Sequence, residues 1–170
     1  AQEKVAVQIA DQMSDYLLTG AVTNALNMPA VSAEEAPLLR PYIQLARQLG
    51  SFSGQLTESG LQSVTITYSG EAASLNSRPI TAAALEGLLS PLLASVNAVN
   101  ALVVAKERNI EVTTVERESA EGYETLIRLT VQTERANRTL AGTLFQGGKP
   151  RVVDVQGISI EARLAPKMLY

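Results

Sequence analysis

Three cations stand close together near the C-terminal end of this sequence: Lys149, Arg151 and Arg163, in "KPRVVDVQGISIEAR". Between them, Val152, Val153, Val155, Ile158 and Ile160 flank a Gln-Gly pair, the pattern of a β-hairpin with a two-residue turn at Gln156-Gly157. The predicted register sets Val155 against Ile158, Val153 against Ile160 and Arg151 against Ala162, with the apolar residues on one face. Arg163 then lies one residue further, pointing first to the other face. Two guanidinium groups and an ammonium at one hairpin end can hold a phosphate or carboxylate by bidentate, charge-assisted hydrogen bonds. Basic residues at strand ends also guard a sheet edge against unwanted pairing, and the residues alone leave both roles open.

Other chemistry is sharply limited. The chain has no histidine and no cysteine, which excludes Ser-His-Asp and Cys-His nucleophiles and ordinary zinc sites. It also excludes a disulfide framework. Neither G-x-G-x-x-G nor G-x-x-x-x-G-K-[ST] occurs. No residue is nominated as catalytic, cofactor-binding or metal-ligating. "GSFSG" at 50–54 has Phe52 where a nucleophile elbow needs serine, and it sits in a helical pattern. Arg78 before Pro79 reads as a loop arginine, Gly147-Gly148 as a turn, and Glu116 and Glu118 as solvated carboxylates on one strand face. With 46% hydrophobic and 18% charged residues, the 170-residue chain suits one globular domain with an appendage. A net charge of −3 argues against general nucleic-acid binding, and no apolar run reaches membrane-spanning length.

The positioning elements follow from periodicity. Residues 3–19 carry Val5, Ile9, Met13, Tyr16 and Leu17 on one helix face, a face that calls for a partner surface. A linker with Pro29 follows. Ser32 and Glu35 make an S-x-x-E capping box before a stripe of Leu38, Tyr42, Leu45, Leu49, Phe52 and Leu56; Pro37 and Pro41 place the helix start near themselves. A strand is predicted over 61–70, a helix from Thr81 to near Pro91, and another over 97–109 capped by Asn97. Strands then fall at 110–116, 125–133, 138–146, 151–155 and 158–164. Helices first and strands later predict an α+β fold: two layers, a largely antiparallel sheet with helices on one face, plus the N-terminal helix.

Taken in order, "NMPAVSAEEAPLLRPYIQLARQLGSFSGQL", "NSRPITAAALEGLLSPLL", "VNAVNALVVAKERNIEV" and "RTLAGTLFQGGKPRVVDVQGISIEAR" resemble the long-form D-3-phosphoglycerate dehydrogenase family over essentially the whole chain. The resemblance implies that residues 1–30 are the closing helix and exit linker of a catalytic part. Residues 31–170 would be the intervening, allosteric substrate-binding domain. A related domain occurs in L-serine dehydratases, which is one alternative; a purely structural oligomerisation domain without ligand is another. In the family, the catalytic His, Arg and Glu and the NAD-binding glycines precede this region, and a serine-binding ACT domain follows it. The expectation is therefore a cytoplasmic regulatory portion, inactive alone, of an oligomeric NAD-dependent oxidoreductase of serine biosynthesis. Its expected partners are the catalytic and ACT domains and a small phosphate-bearing anion, with neither nucleic acid nor membrane among them. The resemblance also tips the hairpin reading: basic residues matching Arg151 and Arg163 line the family's effector site, with Lys149 nearby.

Overall fold

A computed structural model describes residues 2–19, 21, 30–58 and 60–165. The predicted linker after the first helix lies mostly outside the described residues. In chain order the elements are α1 (Gln2–Thr19), α2 (Glu35–Gln55), β1 (Leu61–Gly70), a short 3-10 turn (Glu71–Ser74), α3 (Ser77–Leu89) and α4 (Ala101–Glu107). The β-rich remainder follows as β2 (Glu111–Arg117), β3 (Thr125–Thr133), β4 (Asn137–Phe145), β5 (Lys149–Val155) and β6 (Ile158–Arg163). The α+β class stands, with one six-stranded sheet in the order β2-β1-β3-β4-β5-β6. Every neighbouring pair is antiparallel except β1–β2, which run parallel from Ser63↔Glu111 to Ser69↔Arg117. A parallel pair needs a crossover, and α3 and α4 supply it.

The capping box forms as predicted: the Glu35 N–H donates to Ser32 Oγ and the Ser32 N–H to Glu35 Oε2, each at 3.2 Å. Four helix predictions need correction. Pro41 lies inside α2 rather than in its first turn. The buried stripe of α2 runs through Leu39, Tyr42, Leu45, Ala46 and Leu49, whereas Leu38 is exposed. α3 begins four residues earlier than predicted, because the Asn76 side chain accepts from the Arg78 N–H and Pro79 fits the first turn. Arg78 is thus a helix residue. α4 is shorter than predicted: the Asn97 carboxamide caps a preceding turn by accepting from the N–H groups of Val99 and Asn100.

Both central helices cover one sheet face. Tyr42, Leu45 and Leu49 of α2 and Ile80, Leu85 and Leu88 of α3 share one core with Val64, Ile66 and Tyr68 of β1 and with Ile127, Leu129, Leu140, Val152 and Val155. The two helices touch backbone to backbone. A Cβ added at Gly50 would press on the Ala84 carbonyl oxygen and stand 2.9 Å from the Leu88 nitrogen. One at Gly87 would press on the Arg47 carbonyl oxygen and stand 2.8 Å from the Ser51 nitrogen; Gly54 meets the Leu88 carbonyl in the same way. The "GSFSG" stretch is therefore a packing seam. The exposed α1 carries the predicted apolar face, with Val5, Ile9, Met13 and Leu17 each half or more accessible. Among the described residues it meets the rest through Arg40 Nη2, which donates to the Thr19 carbonyl at 3.5 Å.

The core holds a buried phenol. The Tyr68 hydroxyl lies 2.7 Å from Thr81 Oγ1, tying β1 to α3. Burial, opposed by that hydrogen bond, pushes its pKa up to about 12.

Two predictions follow from these contacts. Gly87→Ala, which in an open helix would stabilise by up to ~1 kcal/mol, is expected to destabilise by about 1–3 kcal/mol through overpacking, read from urea unfolding. The second concerns alkaline pH. An unfolded tyrosine loses its proton near pH 10, while folded Tyr68 keeps it to about 12, so its contribution is intact below pH 10 and is lost as pH rises to 12. A loss on the order of 1–3 kcal/mol is expected across that window in the wild type and is expected to shrink in Tyr68→Phe to what the likewise raised Tyr42 contributes.

Candidate functional site

The β5–β6 hairpin is built from a two-residue turn as predicted. Gln156 (φ 56°) and Gly157 (φ 80°) are both left-handed, as a type I′ turn requires. The Gly157 N–H donates to Asp154 Oδ1 at 3.1 Å, and the Gln156 N–H donates to the Thr139 carbonyl at 2.8 Å, which fixes the turn to β4. Beyond the turn the predicted register fails. Val155↔Ile158 and Asp154↔Ser159 pair as in a regular ladder, but the next partners are Val152↔Ala162 and Arg151↔Arg163. Val153 alone faces Ile160 and Glu161. β5 is irregular toward β4 at the same place, where Ala141↔Asp154 is followed by Gly142↔Val152.

The irregularity redistributes the valines. Val152 and Val155 enter the main core beneath the helices, whereas Val153 joins Ala120, Leu126 and Ala141 in a separate small cluster. The expected single apolar face of Val155, Val153 and Arg151 is thus corrected. A bulge lets consecutive residues face the same way, so a strict alternation does not hold through it. For the cations the consequence is direct. Arg151 and Arg163 are cross-strand partners rather than offset neighbours, and residues directly opposed in an antiparallel pair share a face. Lys149, two residues from Arg151 on β5, shares that face by strand alternation.

Their surroundings favour positive charge awaiting a counterion. On β4, Thr143 pairs with Arg151 and Phe145 with Lys149. The Arg151 guanidinium sits 5.5 Å from the Phe145 ring centroid, and its Nη1 donates to the Pro150 carbonyl at 2.9 Å. A groove of about 530 Å³ opens here, lined by Lys149, Arg151, Tyr123, Glu124, Thr143 and Phe145 among others. Lys149 and Arg163 are exposed and Arg151 is half-buried. Arg128, on the same face, is neutralised by Glu121 at 2.7 Å and by Asp154 at 3.6 Å. By contrast, Lys149, Arg151 and Arg163 have no carboxylate within salt-bridge distance among the described residues. Two like charges held opposite each other repel, and an anion between them removes that cost.

Glu124 is the acidic residue of the groove lining, and it is tied to Glu71 and Tyr42 outside the groove. The Glu124 carbonyl accepts from the Glu71 N–H at 3.0 Å, and the Tyr42 hydroxyl donates to Glu71 Oε2 at 3.2 Å. Burial above all pushes the Tyr42 phenol up; the Thr125 hydroxyl opposes this, and the charges of Glu71 and Glu124 add to it. Tyr123, Glu124, Thr143 and Phe145 escaped the sequence reading because they come from other connections and carry no local signature. The remaining candidates stay apart. Glu116 is the penultimate residue of β2, at the opposite edge of the sheet, and Glu118 lies beyond the strand. Among the described residues no group of three acidic, histidine or cysteine side chains could hold a metal ion. No described helix is long and apolar enough to cross a membrane. The strand-to-helix junction after β1 carries one glycine, Gly70, and leads into the 3-10 turn Glu71–Ser74. It does not fit a dinucleotide pyrophosphate, which needs a glycine-rich turn opening a full helix.

Comparison with known proteins gives a consistent set of likenesses. Residues 38–156 match the family model described as the D-3-phosphoglycerate dehydrogenase intervening domain. The whole chain is 35% identical to D-3-phosphoglycerate dehydrogenase of Synechocystis over 172 residues, covering 31% of that protein. It is likewise 35% identical to the Bacillus subtilis enzyme of the same name over 171 residues, covering 33% of it. The human D-3-phosphoglycerate dehydrogenase is 30% identical over 122 residues, or 71% of this chain and 22% of the relative. The chain spans about a third of the length of the bacterial relatives it matches.

Proposed function

The chain belongs to the D-3-phosphoglycerate dehydrogenase intervening-domain family, and from that premise we propose that it is an anion-responsive regulatory domain of such an enzyme. On this reading the parent is a cytoplasmic, oligomeric enzyme of L-serine biosynthesis. It oxidises 3-phospho-D-glycerate to 3-phosphooxypyruvate by hydride transfer to NAD. The dinucleotide and the catalytic acid–base residues are assigned, by the family likeness, to the parent's catalytic part. Residues 1–30 are then the closing helix and linker of that part, and residues 31–170 the regulatory domain. Its neighbours in the parent are the catalytic domain and an ACT domain.

The observation that carries this reading is the direct pairing of Arg151 with Arg163. With Lys149 on the same face, the pair presents donors to a phosphate or carboxylate while Phe145 shields one guanidinium from water. Binding there has a mechanical route to the helices. Gly142, which pairs with Val152 beside Arg151, lies so close under α2 that a Cβ on it would stand 2.7 Å from Leu45 Cδ1. An anion that draws β5 and β6 together therefore acts on strands in direct contact with α2.

Phosphate titration followed by NMR tests the site. We expect weak saturable shifts at the open end of β5–β6 in the wild type, with Kd on the order of 1 mM. Arg151→Ala with Arg163→Ala is expected to weaken binding by roughly tenfold or more, since each removes a charge-assisted contact. Equal responses from the two proteins would mean the hairpin end is an ordinary solvated edge. Calorimetry should detect no micromolar NAD binding to this chain; such binding would overturn the assignment of the dinucleotide to the catalytic part.

A further inference from the structure

The opposite edge of the sheet carries a second complementary pattern. β2 is the outermost strand and pairs only with β1 among the described residues. Its sequence is EVTTVER, with Glu111 and Arg117 at its two ends and Thr114 at its centre. Glu111, Thr113, Thr114, Glu116 and Arg117 are exposed. Neither Glu111 nor Arg117 has a salt-bridge partner among the described residues.

We propose that β2 is the edge through which two copies of this chain join their sheets, antiparallel about a two-fold axis at Thr114. In that register Glu111 of each copy lies opposite Arg117 of the other, so the pair of strands closes with two ion pairs. Thr113 faces Val115, and Thr114 faces itself. Moving the axis to Thr113 sets Glu111 against Val115, and moving it to Val115 sets Arg117 against Thr113; both lose the charge match. The other free edge offers a match only at its very end: a two-fold at Ala162 of β6 sets Glu161 against Arg163, but it overlaps just residues 161–163 of the strand and engages the arginine that faces Arg151. A two-fold at Ile160 of β6 sets Ser159 against Glu161, and one at Glu161 opposes that carboxylate to itself.

The helix layer fits the same partner. α4 is held beside β2 by a tight C-terminal turn, in which Asn109 (φ 57°) lets the Ile110 N–H reach the Ala105 carbonyl at 2.9 Å. Between α4 and β2 runs a groove of about 620 Å³ lined by Leu102, Val103, Lys106, Ile110 and Val112, among others. Leu102 and Val103 are 44% and 56% exposed. A two-fold axis perpendicular to the sheet keeps both helix layers on one side, so the two grooves flank the seam. Glu116 of the second copy then lies opposite Val112, at the groove that Lys106 lines. Backbone pairing at an exposed edge, selected by side-chain charge, is an established mode of strand addition. This deepens the oligomeric part of the proposed function and rests on it, but not on the anion site at the far edge.

Charge reversal tests the register. In sedimentation equilibrium the wild-type chain is expected to dimerise, and Glu111→Arg alone or Arg117→Glu alone to weaken dimerisation on the order of tenfold. An equimolar mixture of the two single variants restores both opposite-charge pairs, as does the doubly reversed chain, and each should recover the wild-type constant. Circular dichroism confirms that these exposed substitutions leave the fold intact. A wild-type chain that stays monomeric overturns both the edge proposal and the oligomeric reading. Association that is indifferent to all three variants overturns the edge proposal alone.

Discussion

The contact between α2 and α3 governs the rest of this architecture. Gly50, Gly54 and Gly87 let two helix backbones meet where any side chain would separate them. At that distance both helices fit side by side over one face of the sheet. α2 settles against β4 and β5, while Tyr68 and Thr81 hold α3 to β1. The exposed salt bridge between Arg47 and Glu86 at 2.9 Å spans the same helix pair, but a pair so open to solvent contributes at most about 1 kcal/mol. Close packing, more than charge, sets the helix layer.

The basic site depends on a different kind of constraint. A regular ladder from the Gln156-Gly157 turn would have put Arg151 and Arg163 on opposite faces. The irregularity around Val153 sends Val152 and Val155 into the main core and Val153 into the small cluster with Ala120, Leu126 and Ala141. Apolar burial on both faces thereby sets the register that opposes the two arginines. The position of the charges is set by valines buried on the two faces of the sheet, and this is why polar pattern alone did not find the arrangement.

Legibility from the sequence divides along the same line. Helix and strand identities were readable because apolar residues recur at the right period, as in Val64, Ile66 and Tyr68 of β1. The capping box was readable because its partners are three residues apart. Features fixed by distant neighbours were not. Nothing local in EVTTVER says that β2 runs parallel to β1. Nothing local in GSFSG says that its glycines face Ala84 and Leu88. The cations were visible as residue types, but their opposition depends on a bulge that follows from packing against two clusters at once.

The strand order carries a consequence for how the chain is made. β1 is an interior strand, second from the β2 edge, yet its neighbours are β2 and β3, which begin at Glu111 and Thr125. During synthesis, β1 leaves the ribosome with neither neighbour in existence. At about 5–20 residues per second, the roughly 60 residues through the end of β3 take several seconds to appear. Through that interval Val64, Ile66 and Tyr68 can be sheltered only by α2, then by α3. The helix pair is therefore also the nascent chain's first cover for the apolar face of β1, before it becomes one layer of the finished domain.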